Sequence, residues 1–87
     1  MNDISKEITL QRTRQLINEI RGKYAPINIS IKIARKLDID PMNLSYLYHG
    51  GENKIPDEVI KKFARLVNHI VEYDPAKDEF VDKLRVL

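Results

Sequence analysis

Apolar residues recur at three- and four-residue intervals along most of this chain. Leu10, Ile17, Ile20 and Tyr24, with Thr13 in the same stripe, predict a helix over about residues 5–21, with Gly22 as a low-cost left-handed stop. Ile27, Ile29, Ile31 and Ile33 alternate as in a strand. However, Ile33, Ala34 and Leu37 keep helical spacing, Asn28 can cap a helix, and a lone strand has no partner, so a second helix is expected over residues 29–37. Asp38-Ile39-Asp40-Pro41 then breaks the pattern. Asp40 reads as an N-cap and Pro41 as the first residue of a third helix, over residues 41–49, that packs through Leu44, Leu47 and Tyr48.

Residues 50–54 read as a loop. Pro56-Asp57-Glu58 opens a fourth helix with acidic residues in its first turn, followed by Val59, Ile60, Phe63, Leu66, Val67, Ile70 and Val71. Asp74-Pro75 ends it and starts a fifth, over about residues 75–87, with Phe80, Val81, Leu84 and Leu87 as its stripe. The fold class expected is therefore all-α. Five short helices form one domain over residues 1–87, with its core at about 5–73.

The second and third helices have the lengths and the short connection of a helix-turn-helix. Ile33, Ala34, Leu37, Ile39, Leu44 and Leu47 would pack between them, and the small Ala34 lets the two backbones approach. Residues 30–50, SIKIARKLDIDPMNLSYLYHG, resemble the bihelical unit of the phage repressor and Cro-like (lambda-repressor-like) helix-turn-helix family, and NKIPDEVIKKFARLV resembles the proline-started helix that follows it. The resemblance covers roughly residues 10–71. Two departures stand out. Asp38 occupies the turn position where that family usually has glycine, and residues 41–49 contain no Lys or Arg, although Arg to guanine is the commonest specific base contact.

The resemblance implies a small sequence-specific DNA-binding transcriptional regulator whose third helix enters the major groove of double-stranded DNA. Met42, Asn43, Ser45, Tyr46 and His49 would be the base readers. Ser30, Lys32, Arg35, Lys36, Asn53, Lys54, Lys61 and Lys62 would hold phosphates. Phe80, Val81, Leu84 and Leu87 would either close the domain's own core or pair two copies into a homodimer, and the homodimer is favoured. Tyr48 is expected to be structural. Arg12, Arg14, Arg21 and Lys23 are expected to be a solvated surface. The rival is a protein-interaction module on the same bihelical unit, such as an antitoxin, a phage-encoded inhibitor or an adaptor, with Met42, Tyr46, Tyr48 and His49 as its contact patch.

Composition narrows the remaining classes. The 87 residues contain no cysteine, which excludes disulfides, thiol catalysis and Cys-based zinc sites. His49 and His69 lack ligand spacing, Ser45 and His49 lack an orienting carboxylate, and Gly50-Gly51 is too short for a phosphate loop, so no metal, cofactor or enzymatic activity is expected. Without a long apolar run or a signal-peptide pattern, the expectation is a soluble cytoplasmic protein. Fifteen Lys and Arg against 13 Asp and Glu give a net charge of only +2. The distribution is less even. Residues 1–71 carry 12 basic and 8 acidic side chains, a net of +4, and residues 72–87 carry 3 and 5, a net of −2. The expectation is a basic body facing phosphates and an acidic tail turned away toward a partner subunit.

Overall fold

The computed structural model describes residues 3–24 and 28–83. They form four α-helices, one 3-10 turn and a two-stranded antiparallel sheet: α1 (Asp3–Tyr24), α2 (Ile29–Leu37), α3 (Met42–Tyr48), the turn Glu52–Lys54, α4 (Asp57–Val67), β1 (Val71–Asp74) and β2 (Glu79–Asp82). The five-helix, all-α expectation is corrected: where a fifth helix was expected, the chain makes a β-hairpin.

The long helix α1 lies chiefly against α4. Leu10, Thr13 and Ile17 are buried along one stripe, and the Thr13 hydroxyl is satisfied by donating to the Thr9 carbonyl at 2.6 Å. Gly22 does not stop α1. The helix runs on to Tyr24, whose ring lies 5.0 Å from that of Tyr73, a contact of about the same size as the roughly 1 kcal/mol that a helical glycine costs. Ile33, Leu37, Leu44, Leu47, Ile55, Ile60, Phe63 and Leu66 belong to the same core.

α4 ends earlier than its apolar spacing predicts. His69 takes a left-handed conformation (φ 59°). Its N–H donates to the Leu66 carbonyl at 3.0 Å, and the Ile70 N–H donates to the Arg65 carbonyl at 2.8 Å. These are the two bonds of a Schellman stop. Ile70 and Val71 therefore leave the helix, and Val71 opens β1.

In the hairpin, Asp74 and Pro75 start a turn rather than a helix. The Asp74 side chain accepts the Ala76 N–H at 2.9 Å, and its carbonyl accepts the Lys77 N–H at 3.2 Å. Both bonds also suit a helix start, so the local signal is shared. The flanking residues decide between them. The register pairs Val71 with Asp82 and Tyr73 with Phe80, which puts Val71, Tyr73 and Phe80 on one face. Val71 and Phe80 are buried there against the helical core, and the Tyr73 and Phe80 rings lie 5.5 Å apart. Phe80 thus belongs to the domain's own core. Val81 is half-buried on the opposite face, and Leu84 and Leu87 lie outside the described residues. Among the described residues, no helix is long and apolar enough to cross a membrane.

Candidate nucleic-acid interface

The bihelical unit is built by local chemistry at residues 38–41. Asp38 is left-handed (φ 55°, ψ 55°). Its N–H donates to the Arg35 carbonyl at 3.4 Å, and the Ile39 N–H donates to the Ala34 carbonyl at 3.0 Å, so α2 also ends in a Schellman stop. Asp takes this conformation more readily than most residues, which is how the turn forms without the usual glycine. The Lys62 ammonium donates to the Asp38 carbonyl at 3.1 Å and ties the turn to α4. Pro41 is the N-cap of α3, one residue later than expected, and the Asp40 carboxylate just before it accepts the Met42 N–H at 2.9 Å.

α3 presents two faces. Leu44 and Leu47 point into the core, and Asn43 goes with them: it is 8% exposed and its side-chain amide donates to the Asp40 carbonyl at 3.0 Å. Asn43 is therefore held inward, apart from the other proposed base readers. Met42 (53% exposed), Ser45 and His49 face solvent together with Pro41. Tyr46 is half-buried against Gly51, where a Cβ would come within 2.6 Å of the Tyr46 ring, and the Lys54 ammonium lies 5.7 Å from that ring. Gly51 is thus the residue that lets Tyr46 lie down.

Two arginines expected to be plain surface shape the site instead. The Arg14 guanidinium donates to the Leu47 carbonyl at 3.2 Å and to Glu52 Oε1 at 2.9 Å, fastening the C-terminal end of α3 to α1 and to the turn that follows. Arg21 donates to the Ser30 hydroxyl at 3.2 Å, and its guanidinium lies 5.0 Å over the Tyr48 ring. Arg21, Ser30, Pro41, Leu44, Ser45, Tyr48 and His49 line one cleft between the start of α2 and the outer face of α3. The Tyr48 hydroxyl is buried without a hydrogen-bond partner. Burial pushes its pKa up, against the opposing pull of Arg21 and Arg14. A signal for both arginines existed in the sequence: Leu10, Arg14, Ile17 and Arg21 share one helical stripe, so both guanidiniums flank the buried face.

The proposed phosphate ligands separate into groups. Ser30 lies in this cleft beside Arg21. Arg35, Asn53, Lys54 and Lys61 are exposed. Lys32 and Lys36 are turned toward the hairpin, where Lys32 meets Asp78 at 3.0 Å and Lys36 meets Asp82 at 3.1 Å. Lys62 is spent on the Asp38 carbonyl. The described part of the acidic tail, residues 72–83, is thus not turned away from the basic body: its Asp78 and Asp82 meet that body's lysines. Comparison with protein-family models, with curated proteins and with solved structures finds no match to this chain.

Proposed function

We propose that this chain is a small sequence-specific DNA-binding transcriptional regulator that works through a helix-turn-helix. The observation that carries the reading is the α2–turn–α3 unit. A Schellman stop at Asp38 and the bond from the Met42 N–H to the Asp40 carboxylate hold α3 so that Met42, Ser45 and His49 face outward beside a cleft containing Arg21 and Ser30. α3 is the element assigned to the major groove. Met42 suits a thymine methyl, Ser45 and His49 suit base edges or phosphate oxygens, and Arg21 supplies the charge that α3 lacks. The cell compartment proposed is the cytoplasm.

Selection of bound sequences from a random duplex pool, followed by anisotropy titration at low and moderate salt, tests the reading. The expected result is an enriched site and an affinity that falls as salt rises. A palindromic site would mean that two copies bind together. No binding to any duplex at low salt overturns the proposal. A protein-interaction module is the second reading, favoured by the 53% exposure of Met42 on a helix without Lys or Arg. On that reading Met42→Ala weakens partner capture, and Arg21→Gln leaves it unchanged.

A further inference from the structure

The hairpin and α2 face each other across a groove with a basic wall of Lys32, Arg35 and Lys36 and an acidic wall of Asp78, Glu79 and Asp82. The walls are bonded. Lys32 Nζ lies 3.0 Å from Asp78 Oδ2 and 2.7 Å from the Asp78 carbonyl oxygen. Asp82 accepts from both Lys36 and Arg65. We propose that the hairpin is a built-in counterion that holds Lys32, Lys36 and Arg65 away from nucleic-acid phosphates and so restrains binding by this domain. The inference rests on the DNA-binding reading and adds a regulation to it.

Several observations make the hairpin a fixed competitor rather than a chance neighbour. Val71 and Phe80 anchor it in the core, so its carboxylates do not drift away from α2. The Tyr73 hydroxyl donates to Asp78 Oδ1 at 2.6 Å and orients that carboxylate from the other side. The carboxylates remain 62% and 51% exposed, and exposed ion pairs are individually weak, so a phosphate that reaches these cations meets real competition but not a locked pair. Tethering keeps the competing carboxylates at an effective concentration of roughly millimolar or more, which a free anion must exceed. A cation already paired inside the protein releases no DNA counterion, so it drops out of the salt dependence of binding. Asp78 and Asp82 of the acidic segment thereby acquire a role within the single chain, without a partner subunit.

The test uses duplex DNA and the whole 87-residue chain. Asp78→Asn with Asp82→Asn keeps the hydrogen-bond acceptors and removes the charges. Glu7→Gln with Glu58→Gln changes the net charge equally but touches none of these pairs. Duplex affinity is measured from 50 to 200 mM salt, with unfolding curves confirming that each variant is folded. The hairpin variant is expected to bind more tightly than wild type and the control. Its affinity should fall about fortyfold more than theirs across that range, as three extra phosphate contacts require. Lys32→Gln with Lys36→Gln and Arg65→Gln is expected to change wild-type affinity less than about twofold but to abolish the gain when added to the hairpin variant. If wild type binds and the hairpin variant matches the charge control, this inference is overturned and the DNA reading stands. If neither protein binds any duplex at low salt, both fall.

Discussion

Asp38 and His69 do the same job at two helix ends, and neither is the residue usually found there. Both are left-handed, and in both cases the following N–H reaches back to close a helix. A non-glycine residue in this conformation carries steric strain that glycine avoids, partly offset by the extra freedom glycine has when unfolded. His69→Gly is accordingly expected to stabilise the fold by about 0.5–1 kcal/mol, and Asp38→Gly by less, because Asp tolerates the conformation better. Urea unfolding measures both. Tyr48 offers the opposite kind of test. Its buried hydroxyl lacks a partner, and an unsatisfied buried polar group costs about 1–3 kcal/mol. Tyr48→Phe should therefore leave stability unchanged or raise it, and a loss beyond about 1 kcal/mol would show that the hydroxyl has a bound partner in solution.

Among the elements, the hairpin is the one whose tip is held by titrating groups. The Tyr73 hydrogen bond and then Lys32 hold the Asp78 carboxyl below its usual value of 3.8, and the same hydrogen bond pushes Tyr73 up to about 12. The signs follow from linkage. A depressed carboxyl contributes stability that is present above pH 3.8 and is lost as pH falls through the lower folded value. A raised phenol contributes stability that is present below pH 10.0 and is lost as pH rises through about 12. The hairpin tip should therefore be tightest between these limits. Cross-strand contacts of Tyr73 and Phe80, followed by NMR, are expected to weaken below about pH 4 before the helices unfold. Tyr73→Phe should remove the acid-side sensitivity of Asp78 that comes from the phenol and leave the part due to Lys32.

For the whole molecule, the hairpin is part of the core rather than an appendage. Phe80 is 4% exposed, with the ring of Tyr73 beside it. Phe80→Ala should cost about 3–5 kcal/mol, a large share of the roughly 5–15 kcal/mol that small domains possess, and it should loosen α4 as well as the sheet. Hydrogen exchange at Ile60 and Phe63 reads this. A change confined to residues 70–83 would mean that the hairpin folds separately. The same closure determines the charge pattern, because a hairpin fixed against α2 brings Asp78 and Asp82 to Lys32 and Lys36, residues 46 apart in sequence.

The helical part of this arrangement was legible in the chain, since amphipathic spacing and capping chemistry are local. The spacing of Ile33, Ala34 and Leu37 outweighed the alternating isoleucines, and α2 spans the expected residues 29–37. α3 has Pro41 rather than Asp40 at its N-cap, one residue later than expected, although the Asp40 carboxylate still accepts the Met42 N–H. Met42, Ser45 and His49 are exposed, as the helix-turn-helix resemblance implied, whereas Asn43 is not. What sequence alone left undecided depends on residues far apart. Asp74-Pro75 begins a turn or a helix equally well, and only the burial of Val71 and Phe80 against α4 and its neighbours selects the hairpin. His69 gives no glycine-like signal of a stop. The contacts of Arg14 and Arg21 with Leu47 and Ser30, and of Lys32 and Lys36 with the acidic tail, exist only once the chain is packed. Helix periodicity is written over a few residues, whereas the pairing of charges across a groove is settled by which surfaces the core brings together.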